Sequence, residues 1–182
     1  MAGRSGVFGA AIVVLSMVGS GCGYDRGSTP TGPGYGDGTV AAPPARPAMP
    51  VASVRLQWGE LKRAKRATAR YQDVRKAVAD GYLDINVVRP NMGRHFLKQS
   101  LVDGTFEVER PEVLVYSPKP NGHLQLVAVE YAAPLSRTAP EGFQGSADVW
   151  TPDPQFPLWT LHAWVWKGNP DGVFHMTNAR VP

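Results

Sequence analysis

Cysteine is almost absent from this chain of 182 residues, since Cys22 is the only one. A single thiol leaves no pair from which an intrachain disulfide could form. The sequence also lacks a nucleophile elbow, a Gly-rich phosphate loop, zinc-finger spacing and any internal repeat. No motif therefore assigns the chain to a hydrolase, nucleotide-binding or zinc-finger class, and its function has to be inferred from individual residues.

The N-terminal segment is typical of a secretion signal. Arg4 supplies a positive charge, and Val7 to Val18 form an apolar core that is too short to span a bilayer as a helix. Small residues then lead to Cys22, which resembles the lipobox cysteine of bacterial lipoproteins, although Gly19 stands where leucine is usual. The resemblance implies that residues 1–22 are a signal, that Cys22 is lipidated, and that the protein is exported and anchored to the bacterial cell envelope. The alternative is an ordinary signal peptide with an incidental cysteine.

Residues 23–52 are rich in glycine and proline and have no apolar period, which predicts a disordered tether. Residues 53–182 are long enough for one domain with its own core. The formal charge of +4 comes largely from a single short stretch. Its cations are Lys62, Arg63, Lys65, Arg66, Arg70, Arg75 and Lys76. Such clustering favours a solvated helix face near an anionic membrane surface, and we expect no nucleic-acid partner.

The spacing of apolar residues predicts one long helix over about residues 57–80, ended by Gly81 as a C-terminal cap. The predicted apolar face consists of Ala67, Tyr71, Val74, Val78 and Tyr82. Strands are predicted at residues 83–88, 112–116, 123–132 and 158–167, with a turn at 117–122 and a long loop at 133–157. This order predicts an α+β fold with one long N-terminal helix packed on an antiparallel β-sheet.

Two ionisable side chains, Glu130 and His162, interrupt otherwise apolar strands. Period-two alternation predicts the neighbours on each face: Leu124, Leu126 and Ala128 for Glu130, and Thr160, Trp164 and Trp166 for His162. A buried charge without a partner costs several kcal/mol, so the two side chains should pair. His95, in a loop or short strand, is the third candidate, and we expect it to approach them after the first strand.

Two imidazoles and one carboxylate suit a divalent transition metal such as zinc, iron or copper with an open coordination position. His95, Glu130 and His162 are therefore candidate metal or ligand-binding residues. The alternatives are a buried, hydrogen-bonded His–Glu pair in an inert pocket and exposed side chains on a wet sheet face. We interpret a nearby acidic patch as solvated surface. Its members are Glu107, Glu109 and Glu112.

The tryptophans and two further histidines are weaker candidates. Aromatic walls are common in small-molecule sites, but in most domains such residues form core. The tryptophans in question are Trp150, Trp159, Trp164 and Trp166. His123 follows Asn-Gly and should be exposed, and no pattern connects His175 to the site.

Five sequence blocks resemble a family of uncharacterised exported bacterial proteins. They begin at Met92, Pro111, Val127, Leu161 and Asn169 and read MGRHF, PEVLVY, VAVEY, LHAWVW and NPDGVF. In that family the first block commonly reads Met-Gly-Tyr-His-Tyr and is followed by Asn-Pro. Here Arg94 and Phe96 replace the two tyrosines, and Leu97 to Gln99 stand in place of that Asn-Pro. The polar residues of the pattern match: His95, Glu112, Glu130 and His162. The resemblance covers about residues 66–182 and implies a shared fold and pocket without a known activity.

Three functions follow as hypotheses. The first is a membrane-tethered, exported domain that binds a small molecule or a metal ion. The second is a metal-dependent hydrolase or redox enzyme that uses the same histidines and glutamate, with the metal activating water or oxygen. The third is a structural lipoprotein of the cell envelope.

Overall fold

A computed structural model describes residues 50–145 and 147–182 of the chain. The predicted signal, Cys22 and nearly all of the predicted tether lie outside the described residues. The first helix begins at Val51, just before the predicted domain start at residue 53. The described residues hold no helix that is long and apolar enough to cross a membrane.

Helical elements come first, and the rest of the domain is a sheet. Helix α1 spans Val51–Thr68, a 3₁₀ turn spans Ala69–Gln72, and helix α2 spans Val74–Ala79. The strands are β1 Leu83–Arg89, β2 Gly93–Leu97, β3 Val113–Pro118, β4 Leu124–Pro134, β5 Thr151–Pro152 and β6 Leu158–Ala163. A second 3₁₀ turn, Gln99–Leu101, follows β2. The α+β class is therefore present in the described part of the chain.

The prediction of one continuous helix over residues 57–80 was wrong. The chain leaves the helical conformation at Asp73, whose φ of −92° and ψ of 106° are extended. The Asp73 carboxylate accepts a hydrogen bond from the backbone N–H of Arg75 at 3.1 Å, so that Asp73 caps a new helix. The helix is also not at the N-terminus of the chain, because α1 begins only at Val51.

The predicted apolar face of the helix was also partly wrong. Val78 is 48% exposed, whereas the buried positions of α1 are Gln57, Leu61, Ala64 and Thr68. The predicted cap was confirmed: Gly81 has a φ of 91°, and the N–H of Tyr82 donates to the carbonyl of Ala77 at 3.0 Å. Glycine suits this position because it has no Cβ to clash in the left-handed region.

The six strands of the described residues form one antiparallel sheet in the order β1-β2-β3-β4-β6-β5. One face packs on α1 and α2 through buried residues that include Leu61, Ala77, Leu114 and Tyr131. The sheet curls away from the helices, because Arg89 in β1 bonds to Asp153 immediately after β5, at the opposite edge. The face away from the helices is consequently concave.

A β-bulge in β4 changes which residues share a face. Val115 pairs with Ala128, but the next residue of β3 pairs with Leu126, so Val127 is the extra residue. Leu126 packs on the helix side, whereas Val127 and Ala128 pack on the concave side. The alternation that placed Glu130 with Leu124 and Leu126 was therefore wrong, although Ala128 does share its face.

The last predicted strand, residues 158–167, is shorter than expected. β6 ends at Ala163, after which the N–H of Trp164 donates to the carbonyl of Val173 at 2.9 Å. Trp164 stays on the concave side, but Trp166 turns to the helix side, where its Nε1 donates to the Thr68 hydroxyl at 3.1 Å. The expectation that Trp166 shares the face of His162 was wrong for this reason.

A close approach between β2 and β3 gives a test of the fold. A Cβ on Gly93, whose φ is 89°, would lie 2.6 Å from the backbone oxygen of Tyr116. A Cβ on Gly122, whose φ is 78°, would meet nothing within 4 Å. Both alanine variants carry a left-handed cost of about 1–2 kcal/mol. We predict that Gly93→Ala lowers the free energy of unfolding by about 1–3 kcal/mol more than Gly122→Ala, measured by urea denaturation. Equal losses would contradict the close approach.

Candidate metal centre

The strands bring the three candidate residues together on the concave face. Glu130 in β4 and His162 in β6 are direct antiparallel partners in register. His95 lies on β2, which resolves the prediction of a loop or short strand in favour of a strand. All three side chains are buried, with exposed fractions of 4% for His95, 5% for Glu130 and 2% for His162. The concave face therefore contains a carboxylate and two imidazoles that solvent barely reaches.

β3 lies between β2 and β4, so His95 has to reach across it to meet Glu130. The β3 partner of His95 is Val115, and the β3 partner of Glu130 is Val113. Two strand spacings amount to about 10 Å on a flat sheet. The curl of the sheet and the short valine side chains between them let the longer His95 and Glu130 side chains meet above β3.

The three side chains converge around one point. The Nε2 of His95 lies 3.5 Å from the Oε2 of Glu130, and the Nδ1 of His162 lies 3.6 Å from its Oε1. One possible ligand atom from each residue lies within 4.8 Å of the other two. Both nitrogen–oxygen separations are longer than the usual 2.7–3.2 Å of an N–H···O hydrogen bond. The carboxylate thus faces both imidazoles without closing a hydrogen bond to either.

The tautomer of His95 is set by the backbone of β1. Its Nδ1 lies 3.0 Å from the carbonyl oxygen of Val87, which can only accept, so Nδ1 carries a proton. In the neutral ring Nε2 then presents a lone pair to Glu130. Metal-binding histidines almost always donate their second ring N–H in this way to a carbonyl or carboxylate.

His162 is held by stacking rather than by hydrogen bonds. Its ring lies 6.0 Å from the ring of Trp164 with an interplanar angle of 17°. Trp164 is itself fixed, because its Nε1 donates to the carbonyl of His175 at 2.6 Å. Neither ring nitrogen of His162 has a hydrogen-bond partner among the described residues. Buried polar atoms without partners are rare and costly, so these nitrogens require an explanation.

Burial favours the neutral forms of both groups. It raises the pKa of the Glu130 carboxyl, an effect that the nearby His95 opposes. It lowers the pKa of the His162 imidazole to about 4. A divalent cation at the point of convergence would favour an ionised Glu130 and neutral imidazoles, which are the forms that bind metal.

Two cavities reach the site from different sides. The first, about 380 Å³ in volume, lies inside the curl of the sheet and is lined by His95 and Glu130 among others. The second, about 460 Å³, is lined by His162 and by the C-terminal segment around Phe174. Thr160 lines both cavities. The group of three residues is therefore enclosed by protein and still open to small molecules.

Of the weaker candidates, the tryptophans and the two further histidines, some lie at the site and others lie away from it. Trp164 contacts the site, whereas Trp150 and Trp166 pack into the core on the helix side. His123 and His175 are exposed, and His175 lies at the edge of the second cavity.

The prediction that Glu112 belongs to a solvated acidic patch was wrong. Glu107 and Glu109 are exposed, but Glu112 is only 2% exposed. Its Oε2 accepts a hydrogen bond from the backbone N–H of Ala132 at 3.1 Å. Burial raises the pKa of its carboxyl to about 8. Local spacing did not indicate this burial, since the residue follows a proline at the edge of the predicted strand; the only signal was its place among the matching polar residues of the family pattern.

No protein-family model matches the chain, and no curated protein or solved structure matches it either. The resemblance to exported bacterial proteins therefore stays a prediction.

Glu112 gives a test of how burial affects stability. The folded state holds the Glu112 proton up to about pH 8, whereas the unfolded chain releases it near pH 4.5. The stability that this proton supplies is complete below pH 4.5 and is lost as the pH rises through 8. We predict that Glu112→Gln raises the free energy of unfolding at pH 7 by up to about 3 kcal/mol, because the amide oxygen keeps the Ala132 bond without the charge. Chemical denaturation at pH 4 and pH 8 measures the effect, and exposed Glu107→Gln is the control. If the free energy of unfolding of Glu112→Gln depended on pH as that of the wild type does, the prediction would be wrong.

Proposed function

We propose that this protein is an exported, membrane-tethered domain that binds one divalent transition metal ion through His95, Glu130 and His162. The observation that carries the proposal is the convergence of the three buried side chains at separations too long for hydrogen bonds. Zinc, iron and copper are the metals that a set of two imidazoles and one carboxylate suits.

The separations fit a shared ion. Two ligand atoms that each lie about 2.1 Å from one ion in a tetrahedral arrangement are about 3.4 Å apart. The distances from the Glu130 oxygens to the His95 and His162 nitrogens are 3.5 and 3.6 Å. One possible ligand atom from each of the three residues lies within 4.8 Å of the other two, so a shared ion would draw the three side chains closer together.

Hydrogen bonding and charge favour the same interpretation. The His95 Nε2 lone pair and the unpartnered His162 Nδ1 both face the Glu130 carboxylate. Without a cation this arrangement leaves polar atoms in a dry environment with too few partners. A metal ion gives each of these atoms a ligand bond. It also offsets the cost of burying the carboxylate.

Three protein ligands leave at least one coordination position open, which suits binding or catalysis more than a closed structural site. The first cavity, lined by His95 and Glu130, supports a metal-dependent hydrolase or redox enzyme as the second candidate function. An inert structural lipoprotein gains no support from buried imidazole nitrogens that lack partners.

Metal binding is tested by loading the purified full chain with Zn²⁺, Co²⁺, Cu²⁺ or Fe²⁺ and measuring the metal content after gel filtration. We expect one ion per wild-type chain for at least one of these metals. Loss of a residue that only orients a metal ligand typically lowers metal affinity by roughly 10–100-fold. His162→Ala removes a ligand itself, so it should lower the affinity by more than that. Glu130→Gln should do the same while keeping the shape of the side chain.

The control for metal binding is His123→Ala, which removes an exposed imidazole just before the start of β4, at the end of that strand away from Glu130. It should keep the wild-type metal content. Circular dichroism of each variant checks the fold, since His162→Ala in the metal-free chain should cost roughly 1–3 kcal/mol by leaving a cavity beside Trp164. A wild-type chain that retains none of the four metals would overturn the proposal.

The proposed membrane tether rests on the sequence around Cys22. Cys22→Ser should move the protein from the membrane fraction to the soluble fraction, because the lipid supplies most of the apolar attachment. Ser28→Ala, a similar small change in the predicted tether, should stay with the membranes. Fractionation and mass spectrometry of the mature N-terminus measure the result. Unchanged fractionation together with an unlipidated N-terminus would reject the lipid anchor.

A further inference from the structure

We propose that the first cavity is the binding site for a small molecule with a short apolar tail and a single anionic donor group that coordinates the metal. This inference rests on the proposed metal centre and goes beyond it, because it names the class of ligand. The cavity of about 380 Å³ falls within the range of small-molecule sites and is lined by two of the three proposed metal ligands, His95 and Glu130.

The walls of the cavity are mainly apolar and come from five different strands and the segment before β6. Ile85 and Val87 line it from β1, Leu97 from β2 and Ala132 from β4. Phe156 and Pro157 lie at its end beside β6. The walls would favour an alkyl or aromatic body through burial of apolar surface.

Two charged residues of the cavity wall, Arg89 and Asp153, form an ion pair with each other. Arg89 donates two hydrogen bonds to the Asp153 carboxylate, at 3.0 and 3.2 Å, and a third to the Gln155 side chain at 2.8 Å. The same carboxylate also accepts from the backbone N–H groups of Gln155 and Phe156. Arg89 therefore has its guanidinium engaged, and among the described residues that line the wall no free cation is left for a phosphate or a second carboxylate on the ligand body.

The metal centre itself selects the head group. A divalent ion bound by one carboxylate and two neutral imidazoles carries a net charge of +1. In a dry site that charge is best balanced by an anionic donor atom in the open position. One anionic head group and an apolar body are thus the chemistry that the cavity and the centre together require.

A chain-length series tests the inference. The full chain loaded with Co²⁺ is titrated with straight-chain hydroxamates from acetohydroxamate to octanohydroxamate, and the cobalt absorption bands report binding at the metal. Each added methylene should tighten binding about fourfold until the cavity is full, as expected for burial of a methylene group. An affinity that does not change with chain length would overturn the proposal.

A bulky substitution in each cavity shows which of the two cavities holds the ligand tail. Ile85→Trp, at a half-buried position of β1, should abolish the gain from the longer chains without lowering the cobalt content; Leu97→Phe is the second variant if that one fails to fold. Val149→Trp places the same bulk in the second cavity, where Val149 is 56% exposed, and should leave the series unchanged. Loss of the gain with Val149→Trp alone would overturn the assignment to the first cavity. Absence of cobalt bands in the wild type would instead reject the metal centre, so the two failures are distinguishable.

Discussion

The curl of the sheet depends on a contact between its two edges, and the ion pair of Arg89 and Asp153 makes that contact. Both side chains are largely buried, with exposed fractions of 21% and 9%. Loss of one partner from such a pair is costly because the other charge stays buried without compensation. The pair thereby holds β1 against the segment after β5 and encloses the first cavity. The same curl lets His95 reach across β3 to Glu130.

The two faces of the sheet differ in how their buried polar side chains are hydrogen-bonded. On the helix side, buried tyrosine hydroxyls donate to backbone carbonyls: Tyr82 to Pro111, Tyr116 to Tyr71 and Tyr131 to Val108, each at 2.7 Å. These bonds satisfy the three tyrosine hydroxyls within an aromatic core. On the concave side, neither ring nitrogen of His162 has such a bond among the described residues. The helix-side core can stabilise the domain while the concave face carries polar groups whose partners are not part of the fold.

Sequence patterns predicted β1, β3, β4 and β6 but missed β5, which lies within the predicted loop at 133–157. They also predicted the juxtaposition of Glu130 with His162, because a charge within an apolar strand needs a partner nearby. They predicted the placement of His95 only roughly, since its approach depends on the curl, which no local pattern encodes. The bulge at Val127 reverses the face of Leu126 and follows from strand pairing rather than from alternation. The break at Asp73 had a local signal, an aspartate that can cap a helix, but the continuous apolar spacing around it favoured an unbroken helix. Glu112 was missed because its burial depends on the neighbouring β4 backbone, which supplies the Ala132 N–H.

Three departures from the apolar strand pattern meet at one place in this domain. The apolar pattern of the strands fails at His95, Glu130 and His162, and the structure brings these three failures together. A fold under selection for stability alone would favour apolar residues of similar volume at such positions, since replacing buried ionic groups in that way is often neutral or stabilising. Keeping them imposes an energetic cost that the aromatic core on the helix side can offset. That cost is consistent with a site kept for binding, since real proteins tend to break the rules of folding where they function.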